Sequence, residues 1–196
     1  MNNPIYTVLA LFGKSGAGKD TILKASCAAH PDTLHPIVSC TTRPPREGEV
    51  DGVDYHFLTP DDFTTKALKG EMLEVSRFRD WFYGTELSTL SADKINIGVF
   101  NITGINSLLE NPSLNVIPIE IYCDDKVRLI RCLNRETKPD CSEICRRFFT
   151  DKEDFAHINF NYGVVMSEEC NSNDIYECQS YPRYMLNDLL RPDAKG

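Results

Sequence analysis

The sequence predicts an α/β fold built around a central parallel sheet. A short apolar, β-rich run over residues 5–12 has the composition of a buried parallel strand, and residues 21–29 after it have the pattern of a helix. Strand and helix patterns continue to alternate in the second half of the chain, as is typical of parallel sheets. The predicted strands there are 95–102, 116–123 and 162–166, and the predicted helices are 125–134, 142–155 and 184–190.

The connection between the first strand and the first helix reads Gly-Lys-Ser-Gly-Ala-Gly-Lys-Asp-Thr over residues 13–21. It keeps the end glycines and the lysine of the phosphate-binding pattern G-x-x-x-x-G-K-[ST]. Glycines let successive backbone N–H groups turn toward a phosphate chain, and Lys19 supplies a mobile positive charge for the outer phosphates. The residues expected to contact a nucleoside triphosphate are Gly13, Ser15, Gly16, Ala17, Gly18, Lys19, Asp20 and Thr21.

Asp20 departs from this pattern because it stands where a hydroxyl residue belongs. Two like charges about 4 Å apart repel by about 4 kcal/mol at an effective dielectric constant of about 20, so a carboxylate beside a triphosphate must be bridged by a metal or turned away. We therefore hypothesise that Asp20 is a ligand of Mg²⁺, either directly or through water. Thr21 is the nearest substitute hydroxyl and a second candidate ligand.

Length and charge restrict the classes of function. The chain has 196 residues, of which 41% are hydrophobic, and this is enough for one domain with small insertions. Its net charge of −8 argues against a non-specific nucleic-acid surface or an anionic-membrane surface, since both need basic patches. No apolar run approaches about 18 residues and the N-terminus lacks the pattern of a secretory signal, so we expect a cytoplasmic protein.

The eight cysteines form no C-x-x-C pair, and reduced thiols are expected in a cytoplasmic chain. Cys132, Cys141 and Cys145 lie in one region of the sequence, so a small metal site there stays an open alternative.

An insertion follows the first helix. A second strand is predicted over 37–42, and the proline- and glycine-rich residues 43–57 after it are expected to be extended and irregular. Arg43, Arg46 and Tyr55 on this segment can converge on one anionic group, because the arginine fork suits phosphate oxygens and tyrosine adds a neutral donor. A helix over 60–69 and β-rich segments over 71–78 and 81–85 complete the insertion.

The carboxyl ends of the predicted strands indicate where a ligand would bind, because open parallel sheets bind ligands at that edge. The phosphate loop, Ser39 and Thr103 all fall at such ends. We therefore expect them to face one cleft.

The chain resembles the guanylate kinase family in four segments, which occur in the family's order. These are the phosphate loop, Ser39-x-x-Thr42-Arg43-Pro44-Pro45-Arg46-x-Gly48-Glu49-Val50-Asp51-Gly52-x-Asp54-Tyr55-x-Phe57, Glu74, and Tyr83-Gly84-Thr85. The resemblance implies a P-loop kinase with a central parallel sheet, a small β-rich NMP-binding insertion and a helical lid. It implies transfer of the γ-phosphate of ATP to GMP or dGMP, with Mg²⁺ as cofactor and these nucleotides as partners. The implied single domain has a core (1–36, 93–130 and 156–196), an NMP-binding region (37–92) and a lid (131–155), and it is a monomer or a homodimer.

The resemblance also assigns roles to individual residues. The residues that match the family's acceptor-phosphate site are Arg43, Arg46, Tyr55 and Tyr83. Those that match its guanine site are Ser39, Glu74 and Thr85. Further candidates for GMP binding are Glu49 and Thr103. A carboxylate such as Glu74 can accept hydrogen bonds from the N1–H and N2–H₂ groups of guanine, whereas adenine offers no matching donor pair. The implied lid arginines are Arg131, Arg135 and Arg147, and Arg131 is expected to bind ATP. Arg146 is an alternative to Arg147. The expected catalytic residues are Lys19, Arg43, Arg135 and Arg147.

The chain departs from the family's pattern at three places. The first is Asp20. The second is Asn101-Ile102-Thr103, where the family usually carries Asp-x-Asp, and the third is Ser167-Glu168-Glu169, where it carries Asn-Asp. Asp20 could supply the carboxylate that Asn101 or Thr103 no longer supplies.

Two other functions stay open from the sequence. A ribose 1,5-bisphosphate kinase related to guanylate kinases has a similar Gly-Lys-Asp loop but needs no guanine-binding residue, so the segment from Arg43 to Tyr55 and Glu74 argue against it. A non-catalytic guanylate kinase-like binding module typically loses the phosphate loop, which is present here.

Overall fold

The computed structural model describes residues 5–46, 48–78, 80–135 and 137–166. The strands within this part are β1 (Tyr6–Phe12), β2 (Leu34–Pro36), β3 (Cys40–Thr41), β4 (His56–Phe57), β5 (Met72–Phe78), β6 (Trp81–Glu86), β7 (Ile95–Val99), β8 (Leu114–Tyr122) and β9 (Gly163–Met166). The helices are α1 (Lys19–Ala29), α2 (Pro60–Leu68), α3 (Ile102–Leu109), α4 (Asp125–Asn134) and α5 (Cys141–Asp154), with short 3₁₀ turns at Leu87–Thr89 and Phe155–His157.

A five-stranded sheet with the order β2-β7-β1-β8-β9 confirms the predicted α/β class. The pairs β2–β7 and β8–β9 are parallel, with Leu34 opposite Ile95 and Ile119 opposite Gly163. The last five residues of β1 are all buried, as expected of a parallel strand covered on both faces. The chain enters the phosphate loop directly from this strand, so the loop begins at a rigid point.

The predicted insertion forms a second, four-stranded sheet with the order β4-β3-β6-β5. The hairpin of β5 and β6 is antiparallel and places Glu74 opposite Thr85. Strand β3 pairs with β6 on one side and with β4 on the other.

The single strand predicted over 37–42 is wrong, because two sheets share these residues and the segment before them. The Ile37 backbone N–H donates to Ile97 O (2.8 Å) and so extends the pairing of β2 with β7. Cys40 and Thr41 instead pair with β6 and β4. An apolar pattern shows that a segment is extended, but it does not show which strand will be its partner.

The strand predicted over 95–102 is too long. Strand β7 ends at Val99, and Asn101 is the N-cap of α3, where its Oδ1 accepts the Gly104 N–H at 2.7 Å. An asparagine in this role satisfies a backbone donor that would otherwise lack a partner at the helix start. Thr103 therefore lies in the first turn of a helix and not at a strand end. The predicted helix over 184–190 and residues 167–169 lie outside the described residues.

The chain divides into two compact units, here named the base unit and the loop unit. The base unit consists of Met1–Ala10 and Leu34–Ile117, and the loop unit of Leu11–Thr33 and Pro118–Gly196. The boundaries expected for the core, the insertion and the lid stay a prediction. None of the helices in the described part is both long and apolar enough to cross a membrane.

Phe63 on α2 is the anchor between that helix and the second sheet. It is 2% exposed, and its ring stacks on Phe82 of β6 with the centroids 5.6 Å apart. A Cβ added at Gly84 would lie 3.0 Å from the Phe63 ring, which shows how closely the ring approaches the strand.

Replacing Phe63 with alanine should lower the free energy of unfolding by about 3–5 kcal/mol, since it leaves a cavity beside Phe82. Chemical denaturation of the purified variant measures this change. Leu68→Ala on the same helix is the matched control, because Leu68 is 84% exposed and its loss should cost little. Similar losses in the two variants would show that Phe63 is not an anchor.

Candidate functional site

The phosphate loop in the loop unit has the backbone that its glycines predict. Gly16 and Gly18 have φ angles of 80° and 97°, in the left-handed region, and Gly18 is the N-cap of α1. A Cβ at Gly16 would lie 2.5 Å from the Arg128 carbonyl oxygen and 2.7 Å from Cys132 Sγ, both on α4. Glycine is therefore required at this position both for its conformation and for the space it leaves.

Lys19 is folded back onto the loop that precedes it. Its Nζ donates to Gly13 O at 2.8 Å and to Lys14 O at 3.2 Å. Burial lowers the pKa of Lys19, and the nearby carboxylates of Asp20 and Asp151 partly oppose this shift. The lysine thus starts from a position beside the loop that an incoming phosphate would approach.

Asp20 and Thr21 both lie in the first turn of α1 with exposed side chains. Both present oxygen donors, which Mg²⁺ prefers. No group of three His, Cys, Asp or Glu side chains that could hold a metal occurs among the described residues. Cys132, Cys141 and Cys145 therefore do not form such a group, and each is a free thiol.

The expected lid arginines lie on α4 and α5 or at their ends. Arg131 Nη1 is 3.5 Å from Ala17 O in the loop and 3.5 Å from Cys123 Sγ. Arg135 is the C-cap of α4, and its charge contributes to the lowered pKa of Lys19. Arg146 and Arg147 share one carboxylate, since each places its Nε on Glu143, at 3.0 and 2.6 Å. Which of these two acts as the lid arginine stays a prediction.

Two residues of the loop unit, Arg128 and Asp151, were missed by the sequence analysis. Arg128 is 1% exposed, and its guanidinium lies 3.7 Å from the centroid of the Phe148 ring. It donates from Nε to Asp125 at 2.7 Å and from Nη1 to Asp151 at 3.0 Å. Asp151 in turn accepts the Ser15 backbone N–H at 2.8 Å. Because Ser15 and Asp151 are 136 residues apart, no local motif could have indicated this contact.

In the base unit, a cationic cluster is centred on Arg43. Arg43 is 4% exposed, and it donates both Nη atoms to Glu49, at 2.8 and 2.9 Å. Glu49 also accepts the Arg46 backbone N–H at 2.7 Å. Burial alone would raise the pKa of Glu49, but the hydrogen bonds from Arg43 and Arg46 outweigh burial and lower it.

Aromatic rings surround this cluster. The Arg43 guanidinium lies 5.3 Å from the Tyr55 ring and 5.7 Å from the Phe57 ring, within the range of cation–π attraction. The Tyr55 and Tyr83 rings are 6.1 Å apart. The structure therefore brings together the four residues expected at the acceptor phosphate, and Glu49 joins them.

A second cluster of the base unit surrounds a buried carboxylate. Glu74 is 7% exposed and accepts the Thr85 hydroxyl at 3.0 Å, and the hydroxyls of Ser39 and Thr85 are 3.2 Å apart. Burial raises the pKa of Glu74 to about 7, although the hydrogen bond from Thr85 opposes this shift. The three residues expected to contact guanine thus form one chain of hydrogen bonds.

The start of α3 lies beside Glu74. A Cβ at Gly104 would lie 3.1 Å from Glu74 Oε2, so the helix backbone approaches the carboxylate closely. Asn101 donates from Nδ2 to Ser76 Oγ at 2.8 Å, which adds Ser76 as a residue that the sequence analysis missed. Thr103 is exposed on α3, and no hydrogen bond is formed between it and Glu74 in the described part.

Comparison with known proteins shows one consistent family. The family model described as "Guanylate kinase" matches residues 6–177. The chain is 28% identical over 166 residues to a guanylate kinase of Campylobacter jejuni strain RM1221, which covers 82% of this chain and 81% of that one. A guanylate kinase of Synechococcus sp. is 45% identical over 94 residues, 48% of this chain. This match spans about half the length of that relative.

A solved structure supports the fold. The crystal structure of guanylate kinase from Anaplasma phagocytophilum is similar to this chain with a TM-score of 0.59 and 22% identity. The alignment covers 86% of this chain and 80% of that one.

Replacing Gly16 with alanine should weaken the binding of a nucleoside triphosphate by more than about tenfold, because the left-handed backbone is strained and the methyl group meets α4. Isothermal titration with ATP measures the change. Gly70→Ala is the matched control, since Gly70 has φ 70° but nothing within 4 Å of an added Cβ. Equal loss of ATP binding in the two variants would contradict the assignment of this loop.

Proposed function

Because the chain belongs to the guanylate kinase family, we propose that it transfers the γ-phosphate of ATP to GMP or dGMP, forming ADP and the guanosine diphosphate. The observation that carries this proposal is the buried Glu74 with its hydroxyl partners. The hydrogen bond from Thr85 occupies Oε1, and no other donor to this carboxylate is found among the described residues. The carboxylate is therefore short of donors, and a ligand can supply them.

Guanine matches this requirement. Its N1–H and N2–H₂ groups form a pair of donors on one edge, and a carboxylate can accept from both. A site that leaves such buried polar groups unpaired can reject the wrong base by about 10⁴-fold. Glu74, with Thr85 and Ser39, is thus the proposed source of base specificity.

The Arg43 cluster is the proposed site of the acceptor phosphate. Arg43 and Arg46 together carry one more charge than Glu49, so the cluster keeps a net positive charge. Glu49 fixes the guanidinium of Arg43 from one side, and the rings of Tyr55 and Phe57 limit its movement on another. An arginine fixed in this way loses little conformational entropy when it meets a phosphate.

On the ATP side, the loop unit supplies backbone N–H groups, Lys19 and the lid arginines. Phosphoryl transfer needs positioning and charge stabilisation more than covalent chemistry, so cations held near the transferred group account for most of the rate. The attacking oxygen belongs to a phosphate that is already ionised. No protein base is therefore assigned to remove a proton.

Asp20 and Thr21 are the proposed protein ligands of Mg²⁺. One or two oxygen ligands from the protein are typical for Mg²⁺, which takes its remaining ligands from water and substrate phosphates. When bound, the ion would neutralise charge that develops on the phosphates. The exposed side chains in the first turn of α1 are accessible for this role.

The variant Asp20→Ser should lower turnover by about tenfold or more, since no other carboxylate is assigned to the ion. The Mg²⁺ concentration for half-maximal rate should rise, and the affinity for ATP without Mg²⁺ should not fall. Asp32→Ser is the control, because Asp32 is also exposed but lies beyond the opposite end of α1. An Asp20→Ser enzyme as active as the wild type would refute the role of Asp20.

The function itself is tested by ADP release with ATP and Mg²⁺ across a panel of acceptors. The panel contains GMP, dGMP, AMP, UMP, CMP and ribose 1,5-bisphosphate. Turnover is expected only with GMP or dGMP and with no other acceptor of the panel. Turnover only with the sugar bisphosphate would replace the proposal with a sugar phosphate kinase, and turnover with none would favour a binding module.

Binding of GMP should weaken as the pH falls below about 7, because protonated Glu74 no longer accepts two hydrogen bonds from guanine. The raised pKa of Glu74 gives the direction: the carboxyl is ionised above about pH 7 and neutral below it. The phosphate of GMP also titrates in this range, with a pKa of about 6, so it adds a second pH-dependent step to the measured affinity. The comparison is therefore made with Glu74→Gln.

In titrations of GMP between pH 5.5 and 8, wild-type affinity should show both steps and Glu74→Gln should keep only the step due to the phosphate. The variant should also lose preference for GMP over AMP while its affinity for ATP is unchanged. Identical pH profiles would remove Glu74 from the base site.

A further inference from the structure

The phosphate loop of the free chain already holds an anion, and that anion is Asp151. Its Oδ2 accepts the Ser15 backbone N–H at 2.8 Å, and its Oδ1 lies 3.4 Å from Ser15 Oγ. The two carboxylate oxygens therefore lie beside the backbone N–H and the hydroxyl of Ser15, both of which could otherwise donate to a phosphate. The carboxylate comes from α5, in the same compact unit as the loop.

Arg128 holds Asp151 in this position. Its Nη1 donates to Asp151 Oδ2 at 3.0 Å and lies 3.5 Å from Ser15 O. The pair therefore engages both backbone groups of Ser15. The Phe148 ring covers the guanidinium and excludes water from it.

One donor of Arg128 remains unused. Its Nη2 is buried and has no hydrogen-bond partner among the described residues. Such an atom costs free energy until an acceptor reaches it. Arg128 therefore lacks one hydrogen-bond acceptor, although it already donates to the carboxylates of Asp125 and Asp151.

The charge on Asp151 is close enough to the loop to act on it. Its Oδ2 lies 2.8 Å from the backbone nitrogen of Ser15, within the loop itself. A phosphate oxygen about 4 Å from the Asp151 carboxylate would be repelled by about 4 kcal/mol at an effective dielectric constant of about 20. The carboxylate and the outer phosphates of ATP therefore oppose each other at this loop.

We propose that Asp151 is an internal competitor of the ATP phosphates, which occupies Ser15 in the free chain and leaves it when ATP binds. Arg128 holds the competitor in place and gains a phosphate acceptor for its unused donor on the exchange. This inference rests on the proposed function for the identity of the triphosphate. A residue of α5 thereby controls the affinity of the loop for the triphosphate.

Competition of this kind lowers the apparent affinity for ATP. If about nine in ten free molecules hold Asp151 on Ser15, the apparent Kd is about tenfold above the intrinsic one. Asp151→Asn keeps an oxygen that can accept the Ser15 N–H but removes the negative charge. The variant should therefore bind ATP up to about tenfold more tightly.

The test measures Kd for ATP by isothermal titration, without an acceptor, for the wild-type chain and three variants. Glu153→Gln is the matched control, since it removes one charge from an exposed position on the same helix. Asp151→Glu keeps the charge. The expected result is tighter ATP binding by Asp151→Asn alone, with an unchanged Kd for GMP. Asp151→Ser replaces Asp151→Asn if that variant does not fold.

Unchanged or weaker ATP binding by Asp151→Asn would overturn the inference and make Asp151 a structural support of the loop. Equal tightening by Glu153→Gln would overturn it as well, since it would show only a general effect of charge. No ATP binding by either the wild type or Asp151→Asn would have the same consequence. ATP binding with the expected order of affinities, but without phosphorylation of GMP, would leave the inference intact and refute the proposed function.

Discussion

Buried arginines must keep a carboxylate, and the arrangement of both proposed phosphate-binding clusters follows from this constraint. Moving a guanidinium out of water costs several kcal/mol unless an anion and hydrogen bonds replace the lost hydration. Arg43 and Arg128 are 4% and 1% exposed, and each has a carboxylate on its fork. Glu49 and Asp151 thus hold the cations in place while no phosphate is bound. A site for anions can be kept folded in this way when it is empty.

Glu74 shows the opposite case of a buried anion without a cation. Burial dominates its pKa and only the hydroxyl of Thr85 opposes the shift, so the carboxyl is poised between its two protonation states near neutral pH. Between about pH 4.5 and 7 the folded chain binds more protons at this group than the unfolded chain, so its contribution to stability falls as the pH rises. Guanine, which stabilises the ionised form through two donors, would offset this cost. In the proposed function, stability and base recognition are therefore opposed at Glu74.

The sequence predicted the parts of the fold and site that depend on local pattern. Helix α4 begins and ends where its apolar periodicity indicated, and the glycines of the phosphate loop have the backbone angles that the motif requires. It failed where the partner is distant in the chain. The segment 37–42 is shared between two sheets, Asn101 caps a helix, and Arg128 meets a carboxylate 23 residues away. Nothing in the local sequence distinguishes Arg128 from an exposed helical arginine.

Three contacts join the phosphate loop to α4 and α5. Gly16 lies against the backbone of α4, Arg128 extends from α4 to Ser15, and Asp151 reaches the same residue from α5. A shift of either helix therefore changes the donors that the loop offers to a phosphate. Conversely, a phosphate that displaces Asp151 frees one of the contacts that fix α5. On the proposed exchange, the affinity for the triphosphate and the position of α5, which carries Arg146 and Arg147, are linked through the carboxylate of Asp151.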